Sequence, residues 1–315
     1  MPRARRVTEP VVAITRNPME GDAIREALDL LPPAVFPGDT VVVTPNWVND
    51  KQPDTGTVVG PESLRQLLRW LKERRPRRLI VACGSAHGDT PKIMAKTGYD
   101  RIVAEEGAEF VDLNTGPYIV TELDHDIVPA TPLNRLAVEN DVLISYTQIK
   151  HHREATISCG IKNMALSWPP TEFHGTPKME LGIHRDLHGF VYAMAKAVPI
   201  DLTVLSTDKA MIGTGPSEGR AVDGDLVVTG TDPVATDVVG ARLLGFLPQA
   251  VHYLYRLAVD GVGEGDVGRM RLLGIPLHEA EAEFSEQAYG HRFTLDKPNY
   301  RRKLHEDGDL YQPLT

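Results

Sequence analysis

Cysteine is nearly absent from this 315-residue chain, which carries only Cys83 and Cys159. Two thiols cannot by themselves build a disulfide framework, a four-thiolate zinc site or an iron–sulfur cubane. No intrinsic iron–sulfur cluster is therefore expected, and a reducing cytoplasm is the expected setting. Long apolar runs are missing as well: no stretch approaches the roughly 18 residues that suggest a membrane span. The basic opening Met1-Pro2-Arg3-Ala4-Arg5-Arg6 leads only into the short Val11-Val12-Ala13-Ile14-Thr15, without a small-residue cleavage site. Neither a signal peptide nor a membrane partner is expected. Basic charge is in deficit, with 34 Lys and Arg against 43 Asp and Glu and a formal net charge of −9. That balance favours solubility and argues against nucleic acid as a partner.

What is present is ordinary globular material, 42% hydrophobic and 24% charged, with length enough for an ample core. Apolar strand runs alternate with helical patterns. Thr40-Val41-Val42-Val43-Thr44, Leu79-Ile80-Val81-Ala82-Cys83, Asp141-Val142-Leu143-Ile144-Ser145 and Asp201-Leu202-Thr203-Val204-Leu205 read as buried strands. Between them, Leu64, Leu67, Leu68 and Leu71 mark one face of a helix that opens at Gly60-Pro61. Asp232-Pro233 has the cap and first-turn proline of another helix, and one more is expected from about Ile183 to Val198. Tyr118–Thr121 and Ile127–Pro129 suggest a hairpin. The pattern predicts an α/β fold, a mostly parallel sheet flanked by helices. It is compatible with two lobes, residues 1–130 and 131–315 with a cleft between them, or with a single domain.

Ligands in open α/β sheets bind beyond the carboxyl ends of the strands, so the loops expected there locate the chemistry. The richest is Lys150-His151-His152-Arg153-Glu154-Ala155-Thr156-Ile157-Ser158-Cys159-Gly160-Ile161-Lys162-Asn163. A second loop carries Ser85, His87, Asp89 and Thr90; helix capping explains the acid and the hydroxyls but not His87. A third, from Thr207 to Gly219, holds Asp208 and the glycines Gly213 and Gly215, whose backbone N–H groups can approach an anion. It matches neither a Walker loop nor the dinucleotide fingerprint. Asn46 follows the first of the four buried strands. Histidine suits proton transfer near neutral pH, and Lys150 and Lys162 suit an anionic substrate. Asp208 can orient a histidine or a metal-bound water. The candidate catalytic set is thus His87, His152, Lys162 and Asp208, with Asn46, Lys150, Asn163, Gly213 and Gly215 as substrate contacts. His184 and His188, four apart on the expected helix, resemble a metal-sharing pair without the zinc-protease glutamate. His174 and His184 complete the candidates as metal ligands.

These motifs, in order, resemble a known family. Pro45-Asn46, Gly98-Tyr99, Lys150-x-His152, Gly160-Ile161-Lys162-Asn163, Gly213-x-Gly215-Pro216-x-x-Gly219 and Asp232-Pro233-Val234-Ala235-x-Asp237 look like domain-of-unknown-function family 362 (DUF362) over roughly residues 40 to 275. Family members often carry a lysine before the Pro-Asn pair, where Thr44 stands here, and many append ferredoxin-like cysteine motifs that this chain lacks. More distantly, the chain is similar to the lactate racemase superfamily, which uses a nickel-pincer nucleotide. That similarity implies His87 and His152 as acid/base partners and Lys162 as cofactor anchor, His87 matching only with an extra residue after Gly84. Three functions follow as expectations: an isomerase-like, racemase or epimerase enzyme on a small anionic substrate, with a divalent metal or the pincer nucleotide as cofactor; a non-catalytic metal- or ligand-binding protein; or a redox component borrowing a partner's cluster or flavin.

Overall fold

The computed structural model describes residues 3–295. Its strands are β1 Val11–Arg16, β2 Thr40–Pro45, β3 Arg78–Cys83, β4 Glu109–Asp112, β5 Tyr118–Glu122, β6 Ala130–Asn134, β7 Val142–His152, β8 Thr156–Ser158, β9 Leu202–Ile212, β10 Arg220–Val222, β11 Leu226–Gly230 and β12 Arg271–Gly274. Ten of them form one sheet in the order β12-β1-β11-β9-β7-β2-β3-β4, with β8 hairpinned onto β7 and β10 onto β9. The five strands from β9 to β4 run parallel, whereas β11 is antiparallel to both β9 and β1. The fold is α/β, with a mostly parallel mixed sheet flanked by helices. Strands from both sides of residue 130 pair within this sheet, β2 with β7 and β1 with β11, and Ala130 itself begins β6, inside the small β5–β6 hairpin.

The uninterrupted apolar character of the strands has a simple cause: both faces are covered. Successive side chains alternate between two cores. Val42, Ile80, Ala82 and Leu143 face one core, with the helices Gly160–Ser167, Leu187–Ala197 and Pro233–Leu243. Val41, Val43, Leu79, Val81 and Ile144 face the other, with Pro61–Glu73, where the expected Leu64, Leu67, Leu68 and Leu71 stripe is fully buried.

Three local expectations are corrected. The strands expected to end at Ser145 and Leu205 continue to His152 and Ile212, because each folds back into a hairpin that extends its hydrogen-bond ladder. The residues from Lys150 to Asn163 are therefore a strand end, a tight turn, β8 and the first turn of the helix Gly160–Ser167, not a loop. The helix expected from Ile183 begins at Leu187, after the kinked 3₁₀ segment Glu180–Arg185, in which Leu181 has φ 57°; His184 and His188 thus lie on different elements. The hairpin partner of β5 is Ala130–Asn134 rather than Ile127–Pro129.

The helix Gly160–Ser167 is placed by one carboxylate. Asp237, on the helix Pro233–Leu243 and fully buried, accepts from Gly160 N at 2.8 Å and from Ile161 N at 2.9 Å, satisfying donors that a helix start leaves open. The contact needs glycine at 160, since a Cβ there would come within 2.4 Å of Thr203 Cγ2. Asp237→Ala orphans both buried donors and should cost about 1–3 kcal/mol for each. Urea unfolding should show the loss as a fall in midpoint; an unchanged midpoint would mean that the helix is held in place by something else.

Candidate functional site

In the parallel half of the sheet the chain goes from β2 outward to β3 and later returns to the other side of β2 with β7. That reversal is a topological switch point, where the strand ends diverge and leave a crevice. A cavity of about 150 Å³ opens there. Asn46, Trp47 and Val48 reach it from the end of β2, and Cys83, Gly84, Ala86 and His87 from the end of β3. Lys150 and His152 come from β7, Ser158 from β8, and Lys162, Asn163, Leu166 and Ser167 from the following helix; Pro177, Lys178, Met179, His184 and Pro216 close the wall. No carboxylate is among these lining residues.

Three buried lysines point to one small space, and their surroundings differ. Lys178 Nζ donates to Gly84 O at 2.8 Å, Leu166 O at 2.8 Å and Ser167 O at 3.3 Å. All three ammonium donors are used, clamping the carboxyl end of the helix Gly160–Ser167 to the end of β3. This clamp is tight enough that a Cβ on Gly84 would sit 2.6 Å from Ser167 O. Lys150 Nζ donates only to Thr57 O, at 2.8 Å. Lys162, 6% exposed, has no hydrogen bond or ion pair among the described residues. Burial lowers all three from the usual lysine range, Lys150 and Lys178 to about 7 and Lys162 to about 8; the neighbouring Lys162 adds to the effect on Lys150.

The histidines also divide. His152 Nδ1 accepts from Glu154 N at 3.2 Å and Ala155 N at 3.1 Å, so the neutral ring carries its hydrogen on Nε2, an assignment made from the hydrogen-bond network. Protonation would set an N–H against two amide donors. Burial, then Lys162 and Lys150, push its pKa down to about 2. His152 is thus a fixed neutral hydrogen-bond donor, and proton abstraction is not open to it at neutral pH. His184 has the opposite arrangement. Its Nδ1 lies 2.8 Å from Glu154 Oε2, which assigns the hydrogen to Nδ1 and, in the neutral ring, the lone pair to Nε2, the orientation of a carboxylate-positioned base. His87 stands exposed at the rim with its ring unpartnered, and partial burial lowers its pKa. Of its loop neighbours, Asp89 caps the following helix by accepting from Lys92 N, whereas Thr90 Oγ1 accepts from Ser85 N and braces the loop.

The cavity gathers His87, His152, Lys162, Asn46, Lys150 and Asn163, together with His184, and leaves other candidates outside. Asn163 and Asn46 brace it: Asn163 Nδ2 donates to Thr44 O and Ser145 Oγ, and Asn46 Nδ2 to Thr147 Oγ1. Asp208 is not part of the wall. It accepts from Asn17, from Ser63 Oγ at 2.7 Å and from Ser206 Oγ at 2.6 Å, tying β9 to the end of β1 and to the helix Pro61–Glu73; burial raises it to about 6. Gly213 N donates to His151 Nδ1 at 2.9 Å, and Gly215 packs on the His151 carbonyl, so these glycines fasten a hairpin end, and only Pro216 reaches the cavity. His174 is fully buried, its Nε2 at 2.8 Å from Thr131 Oγ1. No group of three or more His, Cys, Asp or Glu able to hold a metal occurs among the described residues. Sequence reasoning missed Lys178, a lone lysine after Pro177 that belongs to no motif.

Residues 41–242 match the family model described as "Domain of unknown function (DUF362)". The chain belongs to the DUF362 family. A thylakoid-associated protein of Synechocystis is 26% identical over 221 residues, covering 69% of this chain and 66% of the relative. The chain therefore spans slightly under two thirds of that relative's length. Among solved structures, the lactate racemase apoprotein from Thermoanaerobacterium thermosaccharolyticum is 18% identical with a TM-score of 0.44, covering 74% of this chain and 56% of that one; a likeness at that level carries no chemistry to this DUF362 chain. No described helix is long and apolar enough to cross a membrane. The pincer nucleotide does not fit the residues present. The cavity's 150 Å³ is below the roughly 300–1,000 Å³ of pockets that enclose drug-sized ligands, and among the described residues no three His, Cys, Asp or Glu come together to hold a metal.

An unpartnered buried charge is costly, so Lys162→Met should leave the protein as stable as the parent or more so. Lys178→Met strips three carbonyls of their donor and should cost on the order of 3 kcal/mol. Because the Lys162 amine has a folded pKa of about 8 against 10.5 ordinarily, the folded state binds fewer protons than the unfolded between those values. Stability from this group then rises as pH increases from 8 towards 10. Urea midpoints across that window should climb less steeply in Lys162→Met; identical slopes would place Lys162 in contact with water.

Proposed function

We propose that the cavity binds a small carboxylate on Lys162 and that the Glu154–His184 pair moves a proton at the carbon beside it, an isomerase-type reaction of the racemase or epimerase class. The observation that supports this most directly is the unpartnered Lys162 ammonium in a buried cavity whose wall contains no acid. Glu154 offsets its charge only from beyond hydrogen-bond and ion-pair reach, so the buried ammonium remains open to an anion. A cavity of this size takes a ligand of about half a dozen non-hydrogen atoms, the scale of a two- or three-carbon acid.

The residues divide the work by hydrogen-bond logic. Lys162 holds the carboxylate. His184 Nε2, its ring oriented by Glu154, accepts the proton from the adjoining carbon. His152 Nε2–H is a preset donor for the negative charge that develops on oxygen as that proton leaves, a role in which a neutral imidazole serves without giving up its proton. His87, exposed at the rim, is the proposed route for proton exchange with solvent.

Titration calorimetry with L-lactate as probe, with proton NMR of its carbon-bound hydrogen in heavy water, tests the reading. Binding and deuterium wash-in are expected. Lys162→Met should abolish binding, and His184→Asn should keep binding but lose exchange by roughly 10²- to 10⁴-fold, the usual share of general acid–base catalysis. Binding without exchange in the parent would leave a ligand-binding protein, and undiminished exchange in His184→Asn would refute the assigned base.

A further inference from the structure

Lys150 has a use that anion binding does not exhaust. It lies on β7, 2% exposed, and lines the same cavity as Lys162. An ammonium buried at this depth needs three acceptors, which Lys178 has and Lys150 does not. The single bond to Thr57 O suits the uncharged amine: one N–H fixes the nitrogen while its lone pair remains unengaged. Cys159 and Lys162 are its ionisable neighbours; no carboxylate is within hydrogen-bond or ion-pair reach, so nothing there favours the charged form. A desolvated amine beside a second cation is the usual setting for an activated lysine nucleophile. A small acid bound on Lys162 would bring its second carbon towards this amine.

We propose that Lys150 is a nucleophilic amine that condenses with the keto group of a small 2-oxo carboxylate, whose carboxylate rests on Lys162. The inference relies on the carboxylate-binding reading above and names the substrate class. The Lys150 lone pair forms a C–N bond to the carbonyl carbon. The carbonyl oxygen takes up the two protons that this nitrogen sheds and leaves as water as the C=N bond forms. Nothing is oxidised or reduced. In a 2-oxo acid the carbon beside the carboxylate bears no hydrogen, so the imine acidifies the C–H on the third carbon, and that is the proton open to the Glu154–His184 base.

The test uses the full chain incubated with pyruvate and sodium borohydride, followed by intact-mass measurement and peptide mapping, with L-lactate calorimetry in parallel. Hydride converts a C=N bond to a stable secondary amine, so the expected product is one adduct per chain, a gain of the mass of pyruvic acid less one oxygen, on Lys150. Trapping should increase with pH through about 7, where the Lys150 amine loses its proton, instead of through the usual lysine range. In Lys150→Arg the adduct should vanish, and in Lys162→Met it should fall together with lactate binding. An adduct on Lys162, or spread over surface lysines, overturns the assignment. Lactate binding without any adduct overturns the imine alone and leaves the carboxylate site standing. Failure of both lactate binding and trapping overturns the site reading together with it.

Discussion

The clasp between Asp237 and the first two amides of the helix Gly160–Ser167 is the contact on which the site rests. It connects the helix Pro233–Leu243 to the element that carries Lys162 and Asn163, across the sheet face formed by β7 and β9. The helix needs it because Cys159, at its N-cap, makes no side-chain cap, leaving orphan amides in an environment without water. Burial pushes Asp237 up to about 7, while the two amides and the field of the helix start pull it back. At the other end Lys178 collects the Leu166 and Ser167 carbonyls. One short helix is thus held by an acid at its positive end and a base at its negative end, and the Lys162 side chain needs no partner of its own to stay in place.

Much of the fold was legible in the sequence, for a physical reason. A sheet covered on both faces writes itself as continuous apolar runs, so β2, β3, β7 and β9 could be read from Val41–Val43, Leu79–Cys83, Val142–Ile144 and Leu202–Leu205. Where these strands stop could not be read. Lys150 and His152 are polar and so resemble a loop, yet they belong to a strand that continues past the sheet's main body because β8 pairs with it. Tertiary pairing overrode local composition, and the same happened along β9 from Ser206 to Ile212.

The site divides in the same way. His87, His152, Lys150 and Lys162 were legible because strand ends at a switch point collect chemistry. Asp208, Gly213 and Gly215 satisfied the same rule and still lie elsewhere, because β9 carries them beyond the crevice into contacts with Asn17, Ser63 and His151. Histidine roles were not legible at all. Whether a ring nitrogen accepts or donates depends on backbone amides and carboxylates that meet it only in the fold. The turn after β7 aims two amides at His152 Nδ1, and the kinked segment before the helix Leu187–Ala197 brings His184 to Glu154.

The three lysines show how one residue type takes separate tasks under nearly equal burial. Burial sets a common cost for the charged form, and what distinguishes them is how many acceptors the backbone supplies. With three carbonyls, Lys178 is satisfied and is a structural bolt. With one carbonyl, Lys150 is steered but not satisfied as an ammonium, which favours its neutral form and exposes a lone pair. With none, and with Glu154 acting only from a distance, Lys162 stays open to an external anion. Natural proteins break the rule against unpaired buried charge mainly where function requires it, and here the violation is graded across one cavity. The grading has an electrostatic consequence. Lys162 makes Lys150 harder to protonate, so an anion arriving at Lys162 would offset that repulsion and draw a proton onto Lys150. Ligand binding and proton uptake in this cavity are then linked by charge, whatever chemistry follows.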